Sequence, residues 1–184
     1  MTADLDSRPQ HAASLRNLYY VRFAFAAVWA GLLVASGAEI GALGAALLVL
    51  YPLFDVAAAV VDFRSSIENR VLLYFNMGLS LLAAIGLGFA AASGLPAVLR
   101  VWGVWAITAG VVQLVVAIRR RGLGGQWPQI LSGAISTVAG TGFILMSGGD
   151  AAALTGVAGY ATVGGLFFLA SAIRLHRKAK AVTG

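Results

Sequence analysis

Apolar residues run along the chain in six long segments, which are separated by short polar or glycine-rich breaks. A bilayer core about 30 Å thick requires roughly 20 apolar residues in a helix. Because each segment is close to that length, the pattern predicts an all-α integral membrane protein with six transmembrane helices. The predicted spans cover residues 18–37, 40–62, 71–92, 96–118, 128–147 and 152–174.

The breaks are short enough for consecutive spans to form three in-out-in hairpins. SGAE (36–39), SGLP (93–96) and SGGD (147–150) mark one side, and the charged loops 62–70 and 119–126 mark the other. The sequence therefore predicts a transmembrane domain over 18–174. It consists of hairpins 18–62, 71–118 and 128–174, with a polar N-terminal tail over 1–17 and a basic tail over 175–184.

Composition supports a bilayer environment and removes several kinds of chemistry. Of 184 residues, 60% are hydrophobic and 11% are charged, whereas ordinary soluble domains carry about 25% charged residues. Cysteine is absent, which excludes disulfides, thiolate metal sites and cysteine catalysis. His11 and His176 lie in the predicted tails, and no lysine lies within an apolar segment. We therefore expect no cofactor or metal in the bundle, neither haem nor zinc nor a retinal Schiff base.

The basic residues lie almost entirely on one side of the predicted topology, and the three opposite loops contain none. Cytoplasmic loops carry the excess of Lys and Arg, so both termini are predicted to be cytoplasmic in a multi-pass membrane protein. The net charge of +6 then reflects topology and attraction to anionic headgroups, and nucleic acid is not expected as a partner. Eleven of the thirteen basic residues belong to this side: Arg8, Arg16, Arg64, Arg70, Arg119, Arg120, Arg121, Arg174, Arg177, Lys178 and Lys180.

A secretory signal peptide is the main alternative interpretation of the first apolar segment. Ser36, Gly37 and Ala38 form a small-residue stretch of the kind that signal peptidases cleave. However, the preceding polar region is long, and the apolar run is as long as a true span. Six spans remain the prediction.

The fourth and sixth spans align without gaps at an offset of 55 residues, which suggests an internal repeat. LRVWGVWAITAGVVQLVVAIR (99–119) lies against LTGVAGYATVGGLFFLASAIR (154–174), so that Trp105 aligns with Tyr160. The third and fifth spans match more weakly at the same offset. The first hairpin fits poorly, although an offset of 58 places Asp55 against Gln113.

Small residues four apart recur in these spans and predict close helix packing. Membrane helices associate through small residues and polar contacts, because lipid is as apolar as leucine. Packing within the bundle is the simpler interpretation, and a dedicated dimerisation face is the alternative. The two best aligned pairs are Ala106 with Gly110 and Ala161 with Gly165.

Three stretches together resemble the HdeD-like family of small bacterial inner-membrane proteins. They are WGVWAITAGVVQLVVAIRRR (102–121), QWPQILSGAISTVAGTGFIL (126–145) and GYATVGGLFFLASAIRLHRK (159–178). In that family, Gly- and Ala-rich helices with an aromatic residue end in a basic cluster, as happens twice here. The resemblance implies repeated hydrophobic hairpins and a role in acid or stress resistance, without catalytic residues. The first hairpin, with YPLFDV (51–56), is the least typical part.

Four polar side chains from four predicted spans lie at a similar depth. Asp55 lies seven residues before the end of its span, roughly 10 Å deep, and Arg22, Asn76 and Gln113 lie roughly 6 to 9 Å deep on the same side. An ionisable group inside a bilayer usually faces the bundle and has a partner. We therefore expect Asp55 to pair with Arg22, and Asn76 and Gln113 to complete their hydrogen bonds.

This cluster has a structural interpretation and a functional one. A buried Asp–Arg pair can simply fix the register of a bundle, or Arg22 can snorkel to the headgroups and leave Asp55 protonated. Alternatively, Pro52 frees a backbone carbonyl one turn upstream, and a kink there would open a polar cavity beside Asp55. Interrupted helices with buried acids are typical of transporter sites.

The remaining aromatic and charged residues of the spans look interfacial. Arg100 is expected to snorkel outward, and Trp102, Trp105, Trp127, Tyr19 and Tyr20 are predicted to anchor the spans at the bilayer boundary. The spacing of Trp102 and Trp105 along the helix argues against an aromatic cage formed by these two residues.

No catalytic motif is present, so an enzyme is not expected. Two function classes remain open. One is a stress-associated structural or interaction protein of the membrane, with a homo-oligomer or another membrane protein as a possible partner. The other is a compact transporter or channel that moves a proton or a small solute past Asp55. A polar cavity that reaches Asp55 would favour transport, whereas a tightly packed core would favour the structural role.

Overall fold

The computed structural model describes residues 3–37, 39–66, 69–149 and 153–183. Parts of several sequence predictions lie outside the described residues. They are Ala38 of the possible cleavage site, residues 150–152 before and at the start of the sixth span, and the extreme ends of both tails.

Six long α-helices make up the fold, and the described residues include no strand. All six are long and apolar enough to cross a membrane, which confirms the predicted fold class. The helices are α1 (Ala3–Ala35), α2 (Ala42–Ser65), α3 (Arg70–Ser93), α4 (Leu95–Arg119), α5 (Trp127–Met146) and α6 (Leu154–Thr183), and a short 3-10 turn covers Arg121–Leu123.

The described residues of both predicted tails are helical extensions of the first and last spans. Extending an existing helix adds a hydrogen bond for each residue fixed, and here the extensions also bury apolar side chains. Leu15 and Leu175 are 1% and 4% exposed, in a cluster with Tyr19, Phe168 and Ala172. The packing of α1 against α6 therefore continues beyond the boundaries predicted from hydropathy.

The six helices close into a ring in which each helix contacts both of its chain neighbours, and α1 contacts α6. The most extensive contacts join α4 with α5, α1 with α6, and α2 with α3. The hairpin partners within each predicted repeat are packed less extensively. The closest packing is therefore between helices that belong to different hairpins. The α2–α3 and α4–α5 connections, the start of α1 and the end of α6 lie on one side of the bundle. We call this side the basic end.

Glycines allow α4 and α5 to approach to backbone contact. A Cβ atom on Gly110 would lie 2.9 Å from the carbonyl oxygen of Gly133, and one on Gly140 would lie 2.5 Å from that of Gly103. Gly165 packs similarly against α1, where an added Cβ would lie 3.1 Å from the Cβ of Ala26. Ala106 and Ala161 are each 1% exposed in the main apolar core. The four small residues singled out in the sequence therefore lie at packed positions within the chain.

The outer surface of the bundle is apolar. Large side chains such as Val71, Phe75, Leu82 and Phe89 on α3 are more than half exposed. A surface of this kind is suited to lipid, which supports the membrane assignment.

Candidate functional site

Asp55 lies buried in α2 and accepts hydrogen bonds from three side chains on two other helices. Arg22 of α1 donates through Nη2 and forms an ion pair with it. Asn76 Nδ2 and Ser80 Oγ of α3 lie 2.6 and 2.8 Å from its second oxygen, Oδ2. The structure therefore brings together Arg22, Asp55 and Asn76. Ser80 was missed in the sequence, although it follows Asn76 by four residues and so lies on the same helix face.

Gln113 belongs to a different hydrogen-bond network, contrary to the expectation that it completes the Asp55–Arg22 pair. Its Nε2 donates to Oε1 of Gln129 on α5 at 2.8 Å. Gln129, which is 1% exposed, donates in turn to Ser171 Oγ at 3.0 Å and to the carbonyl oxygen of Phe167 at 3.1 Å. Ser80 takes the position at Asp55 that the sequence had assigned to Gln113.

A second buried ion pair lies nearer the basic end. Both Nη atoms of Arg120 donate to the carboxylate of Asp62, at 2.7 and 2.9 Å, and Ser66 Oγ lies 2.6 Å from Nη2. Arg120 and Asp62 are 5% and 8% exposed. In the sequence Arg120 belonged to a basic loop, but Asp62 follows Asp55 by seven residues, which places both carboxylates on one face of α2.

The two ion pairs line a cavity of about 80 Å³. A buried site needs roughly 10–15 Å³ of this kind of space for one water molecule, so several would fit. Arg22 and Asp55 line the cavity at one level, and Asp62 and Arg120 line it nearer the basic end. Side chains of α4, including Val112 and Gln113, complete the wall.

A second cavity of about 50 Å³ shares Arg22, Asp55 and Gln113 with the first and extends toward the opposite end of the bundle. Its further wall is aromatic and hydroxylic, and contains Tyr51, Trp105, Tyr160 and Ser136. The two cavities therefore adjoin at Asp55, and the second lies nearer the middle of the helices.

An aromatic cluster of Trp29, Tyr51, Trp102 and Trp105 adjoins this second cavity, and two of its members, Tyr51 and Trp105, line it. Trp29 and Trp102 stack at 5.5 Å between ring centroids, and Tyr51 meets Trp29 edge-on at 4.6 Å. Trp29 Nε1 also donates to the carbonyl oxygen of Leu47 at 2.7 Å. The cluster packs on the side of the second cavity that faces away from the basic end.

This cluster corrects the interpretation of Trp102 and Trp105 as interfacial anchors, because they are 0% and 6% exposed. Residues three apart are neighbours on a helix, and their rings lie 5.2 Å apart. Tyr19 is also buried, with its hydroxyl 3.3 Å from Gln126 Oε1. Trp127, by contrast, is 69% exposed.

Arg100 lies at an exposed position, as the sequence predicts, whereas the helix interruption considered at Pro52 is not found. Arg100 is exposed, but its Nε donates to Ser147 Oγ at 3.1 Å. Pro52 lies within α2, which continues through it from Ala42 to Ser65. The proline therefore does not interrupt the helix beside Asp55.

The internal repeat has a structural counterpart. Trp105 Nε1 of α4 donates to Ser80 Oγ of α3, and the Tyr160 hydroxyl of α6 donates to Ser136 Oγ of α5, both at 3.0 Å. Trp105 and Tyr160 are the pair aligned at the offset of 55. Tyr51 on α2 lies 54 residues before Trp105 and lines the same cavity as Trp105 and Tyr160, so all three hairpins contribute an aromatic side chain to it.

Within the described residues, no group of three His, Asp or Glu side chains is placed to hold a metal ion. The structure therefore defines a polytopic membrane protein with six helices able to span a membrane and two buried ion pairs that line one cavity. In comparisons with known proteins, no family model, no curated protein and no solved structure matches the chain. The site is therefore interpreted from its own geometry.

Proposed function

We propose that this membrane protein is a compact transporter or channel for a proton or a small solute, and that the path runs past Asp55. The observation that carries the proposal is the cavity of about 80 Å³ that both buried ion pairs line, Asp55 with Arg22 and Asp62 with Arg120. Ionisable groups within membrane spans are rare, and they mark substrate and ion pathways when they face a cavity.

Packing alone does not explain this space. Protein interiors are packed to the density of organic crystals, with few voids larger than a water molecule. A polar contact that only fixes the register of helices needs partners but no adjoining cavity. Here one cavity adjoins both ion pairs, and a second cavity of about 50 Å³ shares part of its wall.

We take two groups of side chains as the barriers of this path. Toward the basic end, Asp62 and Arg120 line the first cavity. Toward the opposite end, Tyr51 and Trp105 line the second, and Trp102 packs against both of these rings. A solute would cross by opening these barriers in turn, around a site at Asp55. Alternating access of this kind is the general mechanism of secondary transporters.

The orientation of the path follows from the basic residues. By the positive-inside rule, the basic end faces the cytoplasm of a bacterium, and both termini lie there. Arg120–Asp62 is then the inner barrier, and the aromatic cluster is the outer one. The proposal involves no catalytic step.

The absence of cysteine from the sequence permits a direct test of whether water enters the cavity. Ala59, which is 3% exposed, lines the first cavity, whereas Ala158, which is 2% exposed, lies in the apolar core. Methyl methanethiosulfonate reacts with the thiolate form, which apolar burial suppresses. We expect Ala59→Cys to react much faster than Ala158→Cys in membranes. Equal, slow reaction at both sites would mean a dry cavity and would refute the proposal.

A structural or interaction role, as the HdeD-like resemblance implies, is the second candidate. It is favoured by the complete set of partners around Asp55, which are Arg22, Asn76 and Ser80. Asp55→Asn distinguishes the two functions. A transporter should lose flux in proteoliposomes, whereas a structural contact should lose only thermal stability and leave any partner binding intact.

A further inference from the structure

We infer that the cavity beside Asp55 binds a small uncharged molecule with hydrogen-bonding groups, and that the hydroxyl of Tyr51 is one of its contacts. This inference rests on the proposed transport function and names its substrate class. It depends on the balance of charge along the path and on the polar atoms that the protein leaves unpaired there.

The ionised groups that line the two cavities cancel. Asp55 and Asp62 supply two negative charges, Arg22 and Arg120 supply two positive ones, and each carboxylate is paired with its own guanidinium. An ion that enters such a site loses its hydration without gaining a counter-charge, which is unfavourable at membrane depth. An arginine in a narrow path additionally repels protons and cations. An uncharged polar molecule needs no counter-charge and is not repelled by the arginine.

Several polar atoms on residues that line the second cavity have no hydrogen-bond partner in the described part of the chain. Arg22 Nε is completely enclosed, whereas the Tyr51 hydroxyl, Gln113 Oε1, Arg22 Nη1 and Ser132 Oγ are not. Buried polar groups are otherwise nearly always paired. These donors and acceptors suit a molecule such as an amide, a urea or a short polyol.

The repeat shows that the free hydroxyl of Tyr51 is a departure from the pattern of the other hairpins. Trp105 donates to a serine 25 residues earlier, and Tyr160 to a serine 24 residues earlier. At the same distances before Tyr51 stand Ala26 and Ala27, which offer no acceptor side chain. The first hairpin thus keeps the aromatic residue and lacks its internal partner, at the level where Arg22 and Asp55 enter the wall.

The size of the space restricts the ligand further. The two cavities measure about 80 and 50 Å³, so a molecule of a few heavy atoms fits without rearrangement of the helices. We therefore choose urea as the test substrate, and we measure proton flux as the alternative.

The test is transport by the full chain in proteoliposomes. Urea uptake is followed by light scattering after osmotic shock, and proton flux by a pH-sensitive dye inside the vesicles. We expect urea uptake above that of protein-free vesicles, with no added proton flux. Tyr51→Phe should reduce the protein-dependent urea uptake roughly three- to tenfold, the equivalent of one hydrogen bond. Tyr74→Phe, which changes a 72% exposed tyrosine of α3, is the matched control and should not change it.

Stability measurements separate a ligand contact from a structural one. Tyr51→Phe breaks no hydrogen bond within the described chain, so its melting temperature should match the wild type. Tyr160→Phe removes the bond to Ser136 and should lower it. Loss of stability in Tyr51→Phe equal to that in Tyr160→Phe would overturn the assignment of Tyr51.

The results also distinguish the inference from the function on which it rests. Proton flux without urea uptake would overturn the uncharged substrate and retain a transporter. Urea uptake that Tyr51→Phe leaves unchanged would overturn the Tyr51 contact. The absence of both fluxes would overturn the transport proposal itself.

Discussion

The contact between α4 and α5 provides the most direct test of the packing, through substitution of Gly140 by alanine. A Cβ atom at this position would lie 2.5 Å from the carbonyl oxygen of Gly103 and 2.8 Å from Ile107 Cγ1. An ordinary contact needs at least about 3.4 Å, so the helices must separate locally by about 0.9 Å. A gap of 0.5–1 Å forfeits a quarter to a half of each neighbouring dispersion contact. The overall cost of overpacking is about 1–3 kcal/mol.

Gly142→Ala is the matched control, because it lies on the same helix and an added Cβ would meet nothing within 4 Å. It should be neutral or stabilising by up to about 1 kcal/mol, since alanine is the better helix former. Both variants are compared by SDS titration in mixed micelles, with helicity as the readout. If Gly140→Ala unfolds at the same SDS fraction as Gly142→Ala, the close approach of α4 and α5 is wrong.

Three further predictions concern the ion pair, the glutamine network and the lipid-facing surface, and each is measured by the same unfolding titration. Arg120→Met leaves the Asp62 carboxylate buried without its partner and should lower the free energy of unfolding by about 3–5 kcal/mol. Arg119→Met, at an exposed position, is the control and should lower it by less than about 1 kcal/mol. Equal losses of stability would contradict the buried pair. Gln129→Leu removes the acceptor of Gln113 and the donor to Ser171 and should cost about 1–3 kcal/mol for each group left unpaired, and an unchanged midpoint would exclude this network. On α3, Leu87→Ala at a fully buried position should lower the free energy of unfolding by about 2–5 kcal/mol. Leu82→Ala, at a position that is 68% exposed, should lower it far less. The reverse order would mean that the Leu82 face of α3, and not the Leu87 face, packs against the bundle.

Hydropathy was sufficient to predict the six helices, because a span must satisfy its backbone internally and be apolar over its whole length. It could not predict their ends. Leu15 and Leu175 lie outside the predicted spans, yet both are buried where α1 packs against α6. That contact joins the two ends of the chain, and no local pattern reports it.

The site was predicted in part for a similar reason. Equal depth correctly grouped Arg22, Asp55 and Asn76, since depth depends only on distance along a helix. The choice between Gln113 and Ser80 as the next partner depends on the rotation of each helix about its axis. That rotation is set by packing, including the glycine contacts of α4 with α5, and depth carries no information about it.

The aromatic residues show how the same sequence signal supports two environments. Tryptophan near the end of a span is typical of the membrane interface, and it is also large enough to close a path through a bundle. Trp102 lies seven residues into α4, about 10 Å from its start, and is 0% exposed. Its companions Trp29 and Tyr51 come from other helices, so the cluster could be recognised only in the folded chain.

The distribution of charge across the repeats connects the fold with the proposed function. The three hairpins share an aromatic position on α2, α4 and α6. In two of them, the aromatic side chain donates a hydrogen bond to a serine of the preceding helix. The first hairpin instead carries Arg22 and Asp55, and leaves Tyr51 unpaired. A buried ion pair is weak evidence for stability, because hydrophobic replacements often serve as well or better. Two such pairs that line neighbouring cavities are better explained by what the cavities admit. We therefore interpret the first hairpin as the part of the bundle in which the packing contacts of the repeat were replaced by a binding site.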